Sequence, residues 1–171
     1  MTEAATKETN LMAESVASNV RWVGPYQLRH LLENCMNDGQ PWPPESNGVY
    51  VVSKRAWNGV PAKNEEILYV GSNTSKSPLF VIRVGSLIAD LLGFFTNDYG
   101  HHSGGQSLWY YCRDNHIHPL DLYLGWVEGV PCTRCAEREV YDALKPLRSK
   151  KAPAGCYACS PPHRVCFPGS I

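Results

Sequence analysis

The chain has 171 residues, with sixteen Lys and Arg against sixteen Asp and Glu. A chain of this length buries on the order of 70% of its unfolded surface, so one well-filled core is expected. The balanced charge excludes a global field that would draw in nucleic acid, and any phosphate site must rest on local charge.

The opening segment, MTEAATKETN, has neither the basic start nor the apolar core of a secretory signal. The longest apolar run, residues 87–95, contains Asp90 and is too short to span a bilayer. These features predict a cytoplasmic location and no membrane partner. In that compartment the seven cysteines suggest thiols or metal ligands rather than a disulfide framework.

Residues 1–18 are polar and without pattern. Residues 26–36, YQLRHLLENCM, place apolar side chains at helical spacing and end in the stop signal Asn37-Asp38-Gly39. Residues 40–44 are proline-rich and read as an extended linker. Two β-rich runs follow, one opening with Gly48-Val49-Tyr50 and the other closing with Tyr69-Val70-Gly71, with Asn58-Gly59 as a turn signal between them. Ser77-Pro78 reads as an N-cap followed by proline at the first helical position. Phe80, Val84, Leu87, Ile88, Leu91 and Phe95 then form a helical stripe. The GHHSGG segment, residues 100–105, reads as a loop. SLWYYC (107–112) and DLYLGWVEGV (121–130) read as aromatic-rich strands, and residues 133–147 as a helix. This order predicts an α+β fold, a small and mostly antiparallel sheet flanked by helices.

The end of the chain is rich in Pro, Gly and Cys. Cys132-Thr-Arg-Cys135 and Cys156-Tyr-Ala-Cys159 form two CxxC pairs at a separation suited to a tetrahedral zinc site. His163 or Cys166 is an alternative to Cys159 as the last ligand. Such a site would pin an aperiodic tail onto the last helix. Cys112, His116 and His118 form a rival ligand group, and a plain structural role for the thiols is the simpler alternative.

In the last helix Glu137, Val140, Tyr141 and Leu144 share one face. A carboxylate turned toward a core is costly unless it is paired or bound to a cation, which singles out Glu137 over Glu139. Arg83 stands on the flank of an apolar stripe, and arginine is the side chain best shaped to clamp a phosphate at two points. Each residue also has an ordinary account as a salt-bridge partner. The one dense basic segment comprises Arg134, Arg138, Lys145, Arg148, Lys150 and Lys151.

Taken in order, GVY at 48–50, YVG at 69–71, Arg83 in the next helix, and Glu137 in a later helix with Pro146 nine residues on resemble the GIY-YIG nuclease domain. The resemblance covers roughly residues 46–147 and is closest to the restriction-endonuclease branch. It divides the chain into a 1–45 extension with one helix, a 46–147 nuclease-like domain and a 148–171 Cys-rich tail that joins Cys132 and Cys135 in a zinc site. It implies an endonuclease hydrolysing phosphodiester bonds in double-stranded DNA, with magnesium or manganese as catalytic cofactor, beside the structural zinc that the CxxC pairs suggest. By the same resemblance Tyr50 is the general base or its proton relay, and Tyr69 orients water or phosphate. Arg83 stabilises the charge on phosphorus, and Glu137 holds the cation.

This chain departs from the family's pattern in three places. Leu87 stands where a histidine or tyrosine is usual, and His102 or His101 is the candidate replacement. Ser72 follows YVG where lysine is frequent, with Lys76 nearby. No asparagine follows Pro146. Lys76, His101 and Arg138 are the substrate-binding candidates. Cutting both strands would need a homodimer or two visits. The alternative is a catalytically weak or inactive nucleic-acid-binding or regulatory module on the same fold; a zinc-ribbon interaction protein is a third, more distant reading.

Overall fold

The computed structural model describes residues 21–73, 78–96, 102–149 and 152–154. Four antiparallel strands form one sheet in the order β1-β4-β2-β3: β1 (Val23–Gln27), β2 (Gly48–Ser53), β3 (Ile67–Ser72) and β4 (Tyr123–Glu128). The helices are α1 (Leu28–Glu33), α2 (Phe80–Leu91), α3 (Ser103–Asp114) and α4 (Thr133–Leu144). The α+β class and the antiparallel sheet agree with the pattern of the sequence. Among the described residues no helix is long and apolar enough to cross a membrane.

β2 is central, and every one of its residues is buried. Its alternation divides the core. Tyr50 and Val52 lie in a cluster with Leu28, Leu31, Phe80, Leu87, Leu91 and Leu108, from α1, α2 and α3. Val49 and Val51 lie in a second cluster with Val70, Val127, Ala136, Val140 and Leu144, under α4. The result is a sheet covered on both faces, as the two-residue period of a fully buried strand requires. The long β2–β3 connection returns Trp57 to the second cluster, where it stands edge-on to Trp22 at 6.3 Å.

Four elements differ from the sequence expectation. The helix expected over 26–36 is shorter, because Tyr26 and Gln27 pair with Leu124 and Tyr123 and extend the sheet instead. The stretch 107–112 is helical, not a strand, and the expected loop at 100–105 is in part the first turn of the same helix. His102 caps α3 by accepting a hydrogen bond from the Gly105 amide, and Leu108 and Cys112, one turn apart, fill the core. The run of aromatic residues gave a β-propensity that packing overrides. α2 begins at Phe80 with Leu79 as its cap, while Ser77 lies outside the described residues. α4 ends at Leu144, three residues early, where Lys145 adopts a left-handed conformation ahead of Pro146. The chain then runs along the edge strand: the amides of Leu147 and Arg148 donate to the Ile67 and Leu68 carbonyls at 3.1 and 2.8 Å.

Helix and strand readings of residues 107–112 differ in one measurable way. In a strand, positions 108 and 110 share a face; in α3, Leu108 is 0% exposed and Tyr110 41%. Leu108→Ala is expected to cost about 2–5 kcal/mol, and Tyr110→Ala about 1 kcal/mol or less. Thermal denaturation of the two variants decides, and equal losses would contradict the helix.

Candidate active site at the edge of β3

Tyr50 is the buried centre of the site. Its ring stacks on Tyr69 at 6.1 Å and packs beside Phe80 at 6.0 Å and His102 at 6.2 Å. Two glycines make this possible. Gly71 pairs with Tyr50 across the β2–β3 ladder, and a Cβ there would overlap the Tyr50 phenol. A Cβ at Gly104, in the first turn of α3, would overlap the Tyr69 ring. The glycines of YVG and GG thus serve contact between the chain's own rings and helices.

The Tyr50 hydroxyl lies 2.7 Å from His102 Nε2. His102 Nδ1 accepts from the Gly105 amide at 3.2 Å, so it carries no proton. Burial, reinforced by the Arg83 charge, pushes the His102 pKa down to about 3. A neutral ring with Nδ1 accepting has its proton on Nε2 and donates to the Tyr50 oxygen. The Arg83 charge pulls against the effect of burial on Tyr50, and Tyr50 in turn opposes the upward effect of burial on Tyr69. Burial is the largest influence on Tyr50 and holds its pKa well above 10, so it remains neutral.

Asp90, in α2, fixes His102 from the other side. Its Oδ2 accepts from the His102 amide at 2.7 Å and from Gln106 Nε2 at 3.4 Å. Glu137 reaches the same edge from α4, and its Oε2 accepts from Ser72 Oγ at 2.8 Å. Burial raises the Glu137 pKa, while the Ser72 hydrogen bond and the Arg83 charge pull it back. Tyr69, Arg83 and Glu137 are half-buried, whereas Tyr50 and His102 are enclosed. The edge of β3 is therefore where α2 and α3 on one face and α4 on the other bring three partly accessible polar groups over a buried pair.

Tyr50, Tyr69, Arg83, Glu137 and His102 thus come together, although only the first four share a sequence pattern. His102 approaches past Leu87, which is buried in the core: a Cβ on Gly105 would strike the Leu87 carbonyl. Lys76 and His101 lie outside the described residues. Arg138 belongs to a different surface, with Nε on Asp142 at 2.6 Å and Nη1 on the Pro153 carbonyl at 3.0 Å. Cys132 caps α4 and Cys135 is buried in its first turn, while Cys156, Cys159, His163 and Cys166 lie outside the described residues. Among the described residues no three His, Cys, Asp or Glu side chains group as a metal site, so Cys112, His116 and His118 do not form one. Cys112 is a core residue whose thiol burial raises to about 11, and His118 caps a short turn before β4.

Two contributors escaped sequence reasoning. Asp90 interrupts an apolar run, and a buried carboxylate signals a polar partner. Ser72 reads only as a missing lysine. Comparisons with protein-family models, with curated proteins and with solved structures gave no match.

Gly104→Ala is expected to destabilise by about 1–3 kcal/mol through overpacking against Tyr69. Gly85→Ala, on the exposed side of α2 with open space around it, is expected to stabilise by up to about 1 kcal/mol. Urea denaturation of both variants checks the contrast. A second expectation concerns pH. His102 binds protons more readily unfolded (pKa about 6.5) than folded (about 3), so stability falls as pH drops from about 6.5 toward 3. The contribution is at most about 1.4 kcal/mol per pH unit in that window. Urea denaturation at pH 7 and pH 4.5 should show a smaller acid loss in His102→Gln than in the parent; an unchanged loss would mean that His102 titrates normally.

Proposed function

We propose that the chain is a divalent-metal-dependent endonuclease that hydrolyses phosphodiester bonds in DNA, and that its fold is of the GIY-YIG kind. One observation carries this reading: Tyr50, Tyr69, Arg83 and Glu137, drawn from β2, β3, α2 and α4, influence one another at a single edge with His102. A scissile phosphate needs an aligned water, a cation for its developing charge and help for the leaving oxygen.

Burial divides the tyrosine roles. His102 donates to the buried Tyr50, whose ring stacks on the half-exposed Tyr69. Tyr69 is then the phenol that touches water or phosphate, and Tyr50, completely enclosed, is its proton relay and support. Arg83 faces the phosphoryl oxygens. Glu137 is the metal ligand, with Ser72 orienting one carboxylate oxygen and leaving the other to the ion. A single carboxylate suits magnesium, which keeps several waters and takes substrate phosphate as further ligand. When bound, magnesium or manganese would polarise the phosphoryl group and neutralise the leaving oxygen.

Zinc is proposed as a separate, structural cofactor on Cys132, Cys135, Cys156 and Cys159, with His163 or Cys166 as alternative last ligands. Support comes from the Arg138–Pro153 hydrogen bond, which ties the start of the tail to α4 one turn beyond Cys135. Three further residues, reaching at most about 10 Å, bring the chain to Cys156. Thiolates prefer zinc and Glu137 prefers magnesium, so the two metals need not compete. A cytoplasmic location and a homodimer that cuts both strands complete the reading.

The competing reading, a nucleic-acid-binding or regulatory module without activity, draws on the full enclosure of Tyr50. Plasmid DNA incubated with the protein in magnesium, and in EDTA, tests between them. The nuclease predicts magnesium-dependent fragments and a loss of at least about 100-fold in rate for Arg83→Ala and for Glu137→Ala. Folded protein that retains DNA but cuts nothing in magnesium or manganese would establish the binding module.

A further inference from the structure

We propose that an aromatic cluster farther along α3 is a base-stacking subsite for an unpaired stretch of nucleic-acid strand; this rests on the phosphodiester reading of the β3 edge. Gln106, Trp109, Tyr110 and Arg113 follow helical spacing on α3. Trp109 and Tyr110 meet edge-to-face at 4.9 Å. Phe95, just past the end of α2, stands 5.5 Å from Trp109 and 6.1 Å from Tyr110. The Arg113 guanidinium lies 5.2 Å from the Trp109 ring centre and 5.0 Å from that of Tyr110. Asp114 grips Arg113 through Nε and Nη2 at 2.9 and 2.8 Å. Phe94, the neighbour of Phe95 in the chain, is 73% exposed and Tyr110 41%. A single exposed ring is ordinary, but contiguous ones mark an interaction surface.

Its chemistry and place favour a nucleobase. Aromatic rings with a cation among them take the flat face of a base, which a duplex hides and an unpaired strand presents. Asp114 already holds Arg113 against the rings, so this patch offers ring faces with a cation among them more than a free phosphate contact. It also lies on the helix that His102 begins. Trp109 and Tyr110 are seven and eight residues beyond His102, about 11–12 Å along the axis at 1.5 Å per residue. A stacked strand covers that distance in about three nucleotides. A phosphate at the polar edge beside the His102 end of α3 and a base on Tyr110 therefore suit one continuous strand. The substrate class that follows is DNA with a single-stranded stretch next to the scissile bond.

Fluorescence anisotropy with the full chain provides the test. Three labelled probes are compared: a 12-nucleotide oligo(dT), the same backbone made abasic, and a 12-base-pair mixed duplex. Oligo(dT) should bind about 5- to 100-fold tighter than the abasic strand, and Tyr110→Ala and Phe94→Ala should each remove several-fold of that preference while leaving abasic binding unchanged. Equal affinity for oligo(dT) and the abasic strand, or indifference of both variants, overturns the subsite. So does loss of a dimer in Tyr110→Ala by sedimentation with DNA binding unchanged, which would make the patch a contact between copies. Plasmid cleavage separates the two proposals: cleavage without base preference spares the nuclease alone, and base preference without cleavage spares the stacking surface alone.

Discussion

Everything at the β3 edge depends on placing the Tyr50 phenol where no water reaches it. A buried hydroxyl without partners costs several kcal/mol, so the surrounding chain must supply them. His102 is delivered by α3, whose first turn it caps with its other ring nitrogen. That histidine needs its own position held, which Asp90 does by accepting from its amide. Rings this crowded leave no room for side chains at Gly71 and Gly104. The central strand, two helices and two glycines are thus constrained together by one oxygen atom.

The electrostatics follow from the same enclosure. Burial raises the pKa of Tyr50, Tyr69 and Glu137 and lowers that of His102, so each group is pushed toward its neutral form. Arg83 works against this for the acids and with it for the histidine. A single guanidinium therefore favours negative charge on the groups around it while keeping the imidazole neutral. Such an arrangement is ready to meet an anion, because it presents fixed positive charge and donors that point one way. It is also why removing Arg83 should disturb more than one contact.

The legible parts of the sequence were those with a strong period or a local stop signal. The α2 stripe from Phe80 to Leu91, the strand at 123–128 and α4 all stand close to where their patterns place them. Tyr50, Tyr69, Arg83 and Glu137 were legible by their order. His102 was legible only as one of two options, because its reach depends on how α3 crosses α2. Residues 107–112 misled because three adjacent aromatic residues suggest a strand, while the helical signal is carried by Leu108 and Cys112 alone. Tyr26 and Gln27 misled for a different reason: their local pattern is helical, and only the distant β4 draws them into the sheet.

The element misread as a strand is the one on which the site turns. Had residues 107–112 formed a hairpin with 121–130, His102 would have stayed in a loop instead of being held against Tyr50. As a helix, the same segment fixes His102 at its start and the Trp109–Tyr110 pair two turns later on one rigid axis. Gly105 lets that axis lie against the Leu87 carbonyl and Asp90, so α3 is held by its contact with α2. A shift of α3 would move the histidine and the aromatic surface together. The polar edge and the ring cluster are therefore coupled mechanically, and a substitution at their shared contact with α2 acts on both.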